Sequence, residues 1–191
     1  MARQVGTLSA DGFAHLSNKP QSLGVEQAFM GKAEQVMDQV LTDEAATVAF
    51  GAQLRQIICS RLGESAIVYL HGDLGAGKTT LVRGMLRSLG HTGAVKSPTY
   101  TLLEPYQTND LDVFHFDLYR LKSPEELEFL GFDEIFEGPG LKCLEWPEQG
   151  LGWLPAADVE VTLSLHRDAS LPASTAGDPN QVQRHVSVRF A

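Results

Sequence analysis

Three observations predict an α/β protein with a mixed β-sheet flanked by helices in a single domain. The first is a short apolar run, Ile67-Val68-Tyr69-Leu70-His71, that leads into a glycine-rich stretch and then into Leu81, Val82, Met85, Leu86 and Leu89 at helical spacing, stopped by Gly90. The second is that helix-period and strand-like segments follow one another on both sides of this unit. The third is a pair of period-two segments near the end of the chain, Val159–Leu165 and Val182–Phe190, which read as the arms of an antiparallel hairpin.

The glycine-rich stretch carries the chemistry. Gly72-Asp73-Leu74-Gly75-Ala76-Gly77-Lys78-Thr79-Thr80 fits G-x-x-x-x-G-K-[ST] with Gly72, Gly77, Lys78 and Thr79 in the fixed places. Gly72, Gly75 and Gly77 let the backbone take positive φ and approach a polyphosphate with no Cβ in the way. The N–H groups of the loop, from Asp73 and Leu74 through Ala76 to Thr80, then turn inward as an anion nest, and the following helix adds its N-terminal dipole. Lys78 supplies a mobile ammonium for the β- and γ-phosphates, and the Thr79 hydroxyl can reach Mg²⁺. The expected fold is therefore P-loop NTPase-like, and the expected ligand carries a polyphosphate tail together with Mg²⁺.

Taken in order, residues 1–40 read as a poorly defined N-terminal extension ahead of a domain spanning 41–191. Within that extension, Glu26–Val40 fits a helix with Phe29, Ala33, Val36 and Val40 on one face, or else a loosely held arm. Thr42 or Asp43 caps the next helix, in which Phe50, Leu54, Ile57, Ile58 and Leu62 recur at helical spacing until Gly63. Ala66–His71 is the strand before the phosphate loop. After the loop's helix, Pro98 interrupts the chain, Thr99–Pro105 reads as a strand, and Leu111–Leu118 as its hairpin partner. Ser123-Pro124-Glu125-Glu126 reads as a capping box opening a helix that ends near Gly131, with a short helical turn at Phe132–Phe136. Leu141–Trp146 is a further strand, stopped by Pro147, and Asp168–Asn180 reads as a loop before the last strand.

Composition sets the outer limits. At 191 residues, 43% hydrophobic and 20% charged, the chain is an ordinary globular sequence with enough length for a substantial core. Its net charge of −9 argues against a broad basic surface gripping nucleic acid unaided. Cys59 and Cys143 sit in or beside apolar runs and read as buried free thiols, which suits a reducing cytoplasm. No apolar run approaches the roughly 20 residues of a membrane span, and the first residues lack the apolar core of a signal peptide.

A phosphate loop also needs an acid at the end of a neighbouring strand to hold the metal, directly or through water. Asp117, at the end of Val113-Phe114-His115-Phe116-Asp117, and Glu145, at the end of Leu141-Lys142-Cys143-Leu144-Glu145, both qualify, and spacing does not rank them. His115 is assigned no role. Ser97, Pro98 and Thr99 form a candidate mobile element sensing the γ-phosphate.

Four blocks in order extend the pattern: the phosphate loop, Lys96-Ser97-Pro98-Thr99-Tyr100-Thr101-Leu102, His115-Phe116-Asp117-Leu118-Tyr119-Arg120-Leu121 and Leu144-Glu145-Trp146-Pro147-Glu148. Together they closely resemble the bacterial TsaE (YjeE) family, the ATPases of tRNA threonylcarbamoyladenosine biosynthesis, from about Leu41 to the C-terminal strands. The resemblance implies ATP or ADP as the nucleotide, with Thr79 and Glu145 as the Mg²⁺ ligands. It implies Asp117 as a required acid near the γ-phosphate, either orienting the attacking water or ordering the switch loop; with Lys78 of the loop motif it makes up the expected catalytic residues. It implies Ser97 to Thr99 as a switch-like loop, Trp146 beside the site and, with weaker matching, Glu44 near the nucleotide base. It further implies action with two partner proteins, TsaB and TsaD, which modify the tRNA adenosine. The ATPase would then regulate or reset that transferase complex and meet tRNA only indirectly. Two readings from other classes stand beside it: a kinase of a small molecule or protein, and a binding module whose hydrolysis is incidental.

Overall fold

The computed structural model describes residues 36–166 and 183–191. Chain order gives β1 (Val36–Leu41), α1 (Glu44–Leu62), β2 (Ser65–His71), α2 (Lys78–Ser88), β3 (Leu103–Tyr106) and β4 (Val113–Asp117). A 3₁₀ segment (Pro124–Leu130), α3 (Phe132–Glu137), β5 (Gly140–Glu145), a 3₁₀ turn (Pro147–Gly150), β6 (Val159–His166) and β7 (Gln183–Phe190) follow. The strands form one sheet in the order β1-β7-β6-β2-β5-β4-β3. The four inner strands β6, β2, β5 and β4 run parallel, while β1–β7, β6–β7 and β3–β4 pair antiparallel. The sheet is mixed, as the sequence predicts, and both hairpins form.

Side-chain alternation divides the core between the two faces of the sheet. Ala66, Val68 and Leu70 of β2, with Val113 of β4 and Leu141 and Cys143 of β5, share one core with α1 and α2. Ile67 and Tyr69, with Phe114, Phe116 and Leu144, pack on the other side against Leu127, Phe132 and Phe136. α1 buries Thr47, Phe50, Gly51, Leu54 and Ile58, one stripe at helical period. Leu54 and Ile58 are wholly buried, and each such side chain contributes about 1.5–3 kcal/mol. Asp43 is the cap, its carboxylate accepting the Ala46 N–H at 2.7 Å. The same alternation carries His115, Asp117 and Glu145 to the α2 face of the sheet.

Four expectations change. Val36–Val40 is strand: β1 pairs with β7, Met37 and Leu41 turn inward, and Val36 and Val40, placed on a helix face by the sequence reading, are exposed. Valines four apart fit either period, and the free edge of β7 selects the extended form. The rest of Glu26–Val40 and the Asp168–Asn180 loop lie outside the described residues. The strand expected from Thr99 begins at Leu103, because Leu102 donates to the Pro98 carbonyl at 2.7 Å and takes φ +62°. Pro124–Leu130 is 3₁₀ and the Ser123 side chain makes no capping bond, so the capping box does not form. Cys143 is buried as expected, whereas Cys59 is only partly buried; both are free thiols.

Candidate active site

The loop between β2 and α2 is shaped by what crowds it. Gly72 has φ +135°, and a Cβ there would lie 2.2 Å from the Leu163 carbonyl oxygen of β6. Gly77, at φ +109°, is the residue before α2, and its Cβ would lie 2.8 Å from Arg184 Nε. No side chain caps α2, so its first N–H groups are left to whatever anion the loop receives. Lys78 is 4% exposed. Its Nζ donates to the carbonyls of Gly72 at 2.6 Å and Asp73 at 3.0 Å and lies 4.0 Å from the Trp146 ring centroid. Burial lowers its pKa, while Glu145 and Asp117 work against that shift.

Parallel pairing sets Asp117 of β4 directly beside Glu145 of β5, and Leu70 of β2 on the other side of Glu145. Both acids therefore stand at the C-terminal edge of the inner strands, next to the loop, where α/β sheets place their ligands. They have different partners. Glu145 Oε1 accepts from the Thr79 hydroxyl at 2.7 Å and lies 2.8 Å from His115 Nε2. Asp117 Oδ2 accepts from the hydroxyls of Ser97 and of Thr99, the latter at 2.8 Å, and its Oδ1 accepts the Tyr119 N–H at 3.0 Å. Asp117 thus binds the Ser97–Thr99 segment, and Glu145 binds the loop.

These groups open on a cleft of about 340 Å³. It gathers Leu74, Gly75, Gly77, Lys78, Thr79, Thr80, Ser97, Thr99, Asp117 and Glu145 of the predicted set, together with Trp146. Gly72, Asp73 and Ala76 belong to the loop but do not line the cleft. Glu44 stands outside the lining: at the start of α1 it pairs with Arg83, which in turn reaches Thr80 Oγ1 at 3.4 Å. Three further lining residues had no assigned role. Tyr119 packs on Trp146 with centroids 4.9 Å apart, Arg120 lies over the Tyr100 ring, and Arg184 of β7 donates from Nε to the Ala76 carbonyl at 2.9 Å. Tyr119 and Arg120 follow Asp117 directly and were legible as neighbours. Arg184 carries no local signal, since only strand pairing brings β7 to the loop.

Trp146 takes φ +60°, ψ +48°. A bulky residue in this left-handed region costs about 1–3 kcal/mol and is characteristic of functional sites. Here it turns the chain sharply after Glu145 and lays the indole beside Lys78. The donor set suits a hard cation: Thr79 spends its proton on Glu145, so its oxygen lone pairs stay available, and Glu145 adds carboxylate oxygen. Among the described residues no cluster of three His, Cys, Asp or Glu side chains could hold a metal unaided. A cation here would complete its shell with phosphate oxygens and water, as Mg²⁺ does.

A central parallel strand, a glycine loop, a helix and an acid on the adjacent strand define a P-loop NTPase-like α/β domain. The chain belongs to the TsaE family: residues 41–171 match the family described as threonylcarbamoyl adenosine biosynthesis protein TsaE. A Haemophilus influenzae protein named tRNA threonylcarbamoyladenosine biosynthesis protein TsaE is 49% identical over 134 residues, which cover 70% of this chain and 85% of the relative. A Synechocystis protein of the same name is 41% identical over 120 residues, covering 61% and 73%. The crystal structure of YdiB from Bacillus subtilis superposes with a TM-score of 0.62 at 23% identity, covering 84% of this chain and 88% of that one, which shows the shared fold. Among the described residues no helix is long and apolar enough to cross a membrane.

Proposed function

We propose that this protein binds and hydrolyses ATP with Mg²⁺ and serves the formation of N6-threonylcarbamoyladenosine in tRNA, acting with TsaB and TsaD to regulate or reset the transferase complex, in the cytoplasm. The observation that carries the reading is the convergence of the Lys78 ammonium and the Thr79–Glu145 pair on one cleft at the mouth of the glycine loop. The names of the relatives support the pathway.

In this reading the chain's own residues work by position and charge. The loop N–H groups and the start of α2 hold the phosphates. Lys78 leaves the Gly72 and Asp73 carbonyls for the β- and γ-phosphate oxygens. Thr79 and Glu145 would hold Mg²⁺, which when bound supplies charge neutralisation across the phosphates. Asp117, with three donors already on its oxygens, orders Ser97 and Thr99 at the γ-phosphate end of the cleft in preference to activating water. Glu44 and Arg83 flank the Thr80 side, where the base would lie.

Product analysis tests the chemistry. Free phosphate should accumulate one for one with ADP; a phosphorylated acceptor would favour a kinase. Reconstitution with TsaB and TsaD tests the pathway: multiple-turnover tRNA modification should require this chain. A variant that binds ATP without hydrolysing it should fail to support turnover, and full support by that variant would favour a binding module.

A further inference from the structure

The proposed mechanism gives no part to a buried polar side chain beside the cleft. His115 is wholly buried on β4, its Nε2 lies 2.8 Å from Glu145 Oε1, and its Nδ1 has no hydrogen-bond partner. Burying an imidazole with one nitrogen unpaired is unfavourable, and an apolar residue would fill the place without that penalty. The lost bond at Nδ1 therefore directs attention to the bond at Nε2.

The geometry fixes the tautomer. With its proton on Nδ1, the ring would bury an unpaired N–H and aim the Nε2 lone pair at carboxylate oxygen. With its proton on Nε2, it donates to Glu145 and leaves only a lone pair unmatched. Glu145 Oε1 then accepts two hydrogen bonds, from Thr79 of the loop and from His115 of the neighbouring strand. Register explains the reach. His115 sits opposite Cys143, two residues before Glu145 on the same face of β5, so the contact is the diagonal one between adjacent strands.

We propose that His115 is a positioning residue for the metal site: its Nε2–H holds the Glu145 carboxylate in the orientation in which it and Thr79 receive the cation. This rests on the Mg²⁺-nucleotide reading above. Partners of metal-binding groups typically alter metal affinity by about 10–100-fold when removed. Glu145 Oε1 is held between Thr79 and the wholly buried His115, so loss of the imidazole leaves Thr79 alone to orient the carboxylate.

The test is calorimetric titration of the full chain with ADP, in Mg²⁺ and in chelator. In wild type, Mg²⁺ should tighten binding. His115→Leu should lose about tenfold or more of that gain while its metal-free affinity is unchanged. His115→Gln, which puts an amide N–H near the place of Nε2, should recover most of the gain. His115→Asn, whose amide reaches only as far as Nδ1, should not, so the Gln–Asn pair carries the test if His115→Leu fails to fold. In a Glu145→Gln background, His115→Leu should add no further loss. Equal Mg²⁺ gain in wild type and His115→Leu, or equal behaviour of Gln and Asn, overturns this inference alone. A wild-type chain that binds no nucleotide overturns it together with the proposed function.

Discussion

Lys78 is the cation of the loop itself, and in this structure its ammonium is occupied by the Gly72 and Asp73 carbonyls and the Trp146 ring. Phosphate must displace those contacts, and it can, because its bond to the ammonium joins two opposite charges where the carbonyl bonds engage only one. Such bonds contribute about 1.5–3 kcal/mol each, so Lys78→Ala should weaken ATP binding by roughly tenfold or more and abolish hydrolysis; calorimetry and phosphate release check this. The two acids should separate. Glu145→Gln keeps the shape but loses the charge a hard cation prefers, so hydrolysis should fall and more Mg²⁺ should be needed to recover it. Asp117→Asn should lower hydrolysis without raising the Mg²⁺ requirement, because its carboxylate meets Ser97, Thr99 and Tyr119 in place of Thr79. A reversed pattern in a Mg²⁺ titration would exchange the two roles.

At the scale of elements, the loop depends on how closely α1 and α2 cross. A Cβ on Gly51 would lie 2.2 Å from the Leu81 carbonyl oxygen, and one on Gly84 2.2 Å from that of Val48. Each glycine faces the other helix's backbone, which cannot rotate away as a side chain would. Gly84→Ala should therefore destabilise by about 2 kcal/mol despite alanine's better helix propensity, lowering Tm by about 4–8 °C. Because α2 begins at Lys78, nucleotide affinity should fall with it; thermal melts and titration read both. On β5, Lys142 is wholly buried, with Nζ donating to the Gly138 carbonyl and to Ser65 Oγ at 3.1 Å. Burial holds its pKa below the ordinary lysine value, with Asp158 opposing. The unfolded chain then keeps that proton longer, so this residue makes stability rise with pH from its lowered folded value up to about 10.4. Burial pushes the Cys143 thiol and the Tyr69 phenol up to about 12, and both act in the opposite sense at alkaline pH. The signature is therefore the difference: in urea denaturation, wild type should gain relative to Lys142→Met as pH rises through that window.

For the whole molecule, a net charge of −9 leaves little to attract a polyanion. The isolated chain should bind tRNA weakly, and tight binding in a gel-shift assay would mean that it makes the RNA contact itself. If TsaB and TsaD are partners as proposed, and the Ser97–Thr99 segment reports on the γ-phosphate, nucleotide should change affinity for their complex, and that complex must change nucleotide affinity by the same factor. Capture of the two partners with ATP, ADP or no nucleotide should therefore differ; equal capture in all three states would exclude a nucleotide switch.

By itself the sequence determined the parts whose signals are local. The glycine spacing, Lys78 and Thr79 define the loop; Thr42-Asp43 and Gly63 bracket α1, and the structure makes Asp43 the cap; period-two alternation draws β6 and β7; and Asp117 and Glu145 stand out as acids closing apolar strands. These properties reside in a few consecutive residues. What only the tertiary structure decided depends on partners far along the chain. Strand order β2-β5-β4 decided that Thr79 meets Glu145 and that Asp117 meets Ser97 and Thr99. Pairing with β7 made Val36–Leu41 a strand, where valine spacing permitted a helix. It is also pairing, with β6 next to β2, that brings Arg184 to the Ala76 carbonyl across 108 positions of sequence. His115 shows the limit most plainly: one histidine in an apolar strand is ambiguous as sequence, and only the register of β4 on β5 gives its Nε2 a carboxylate to hold.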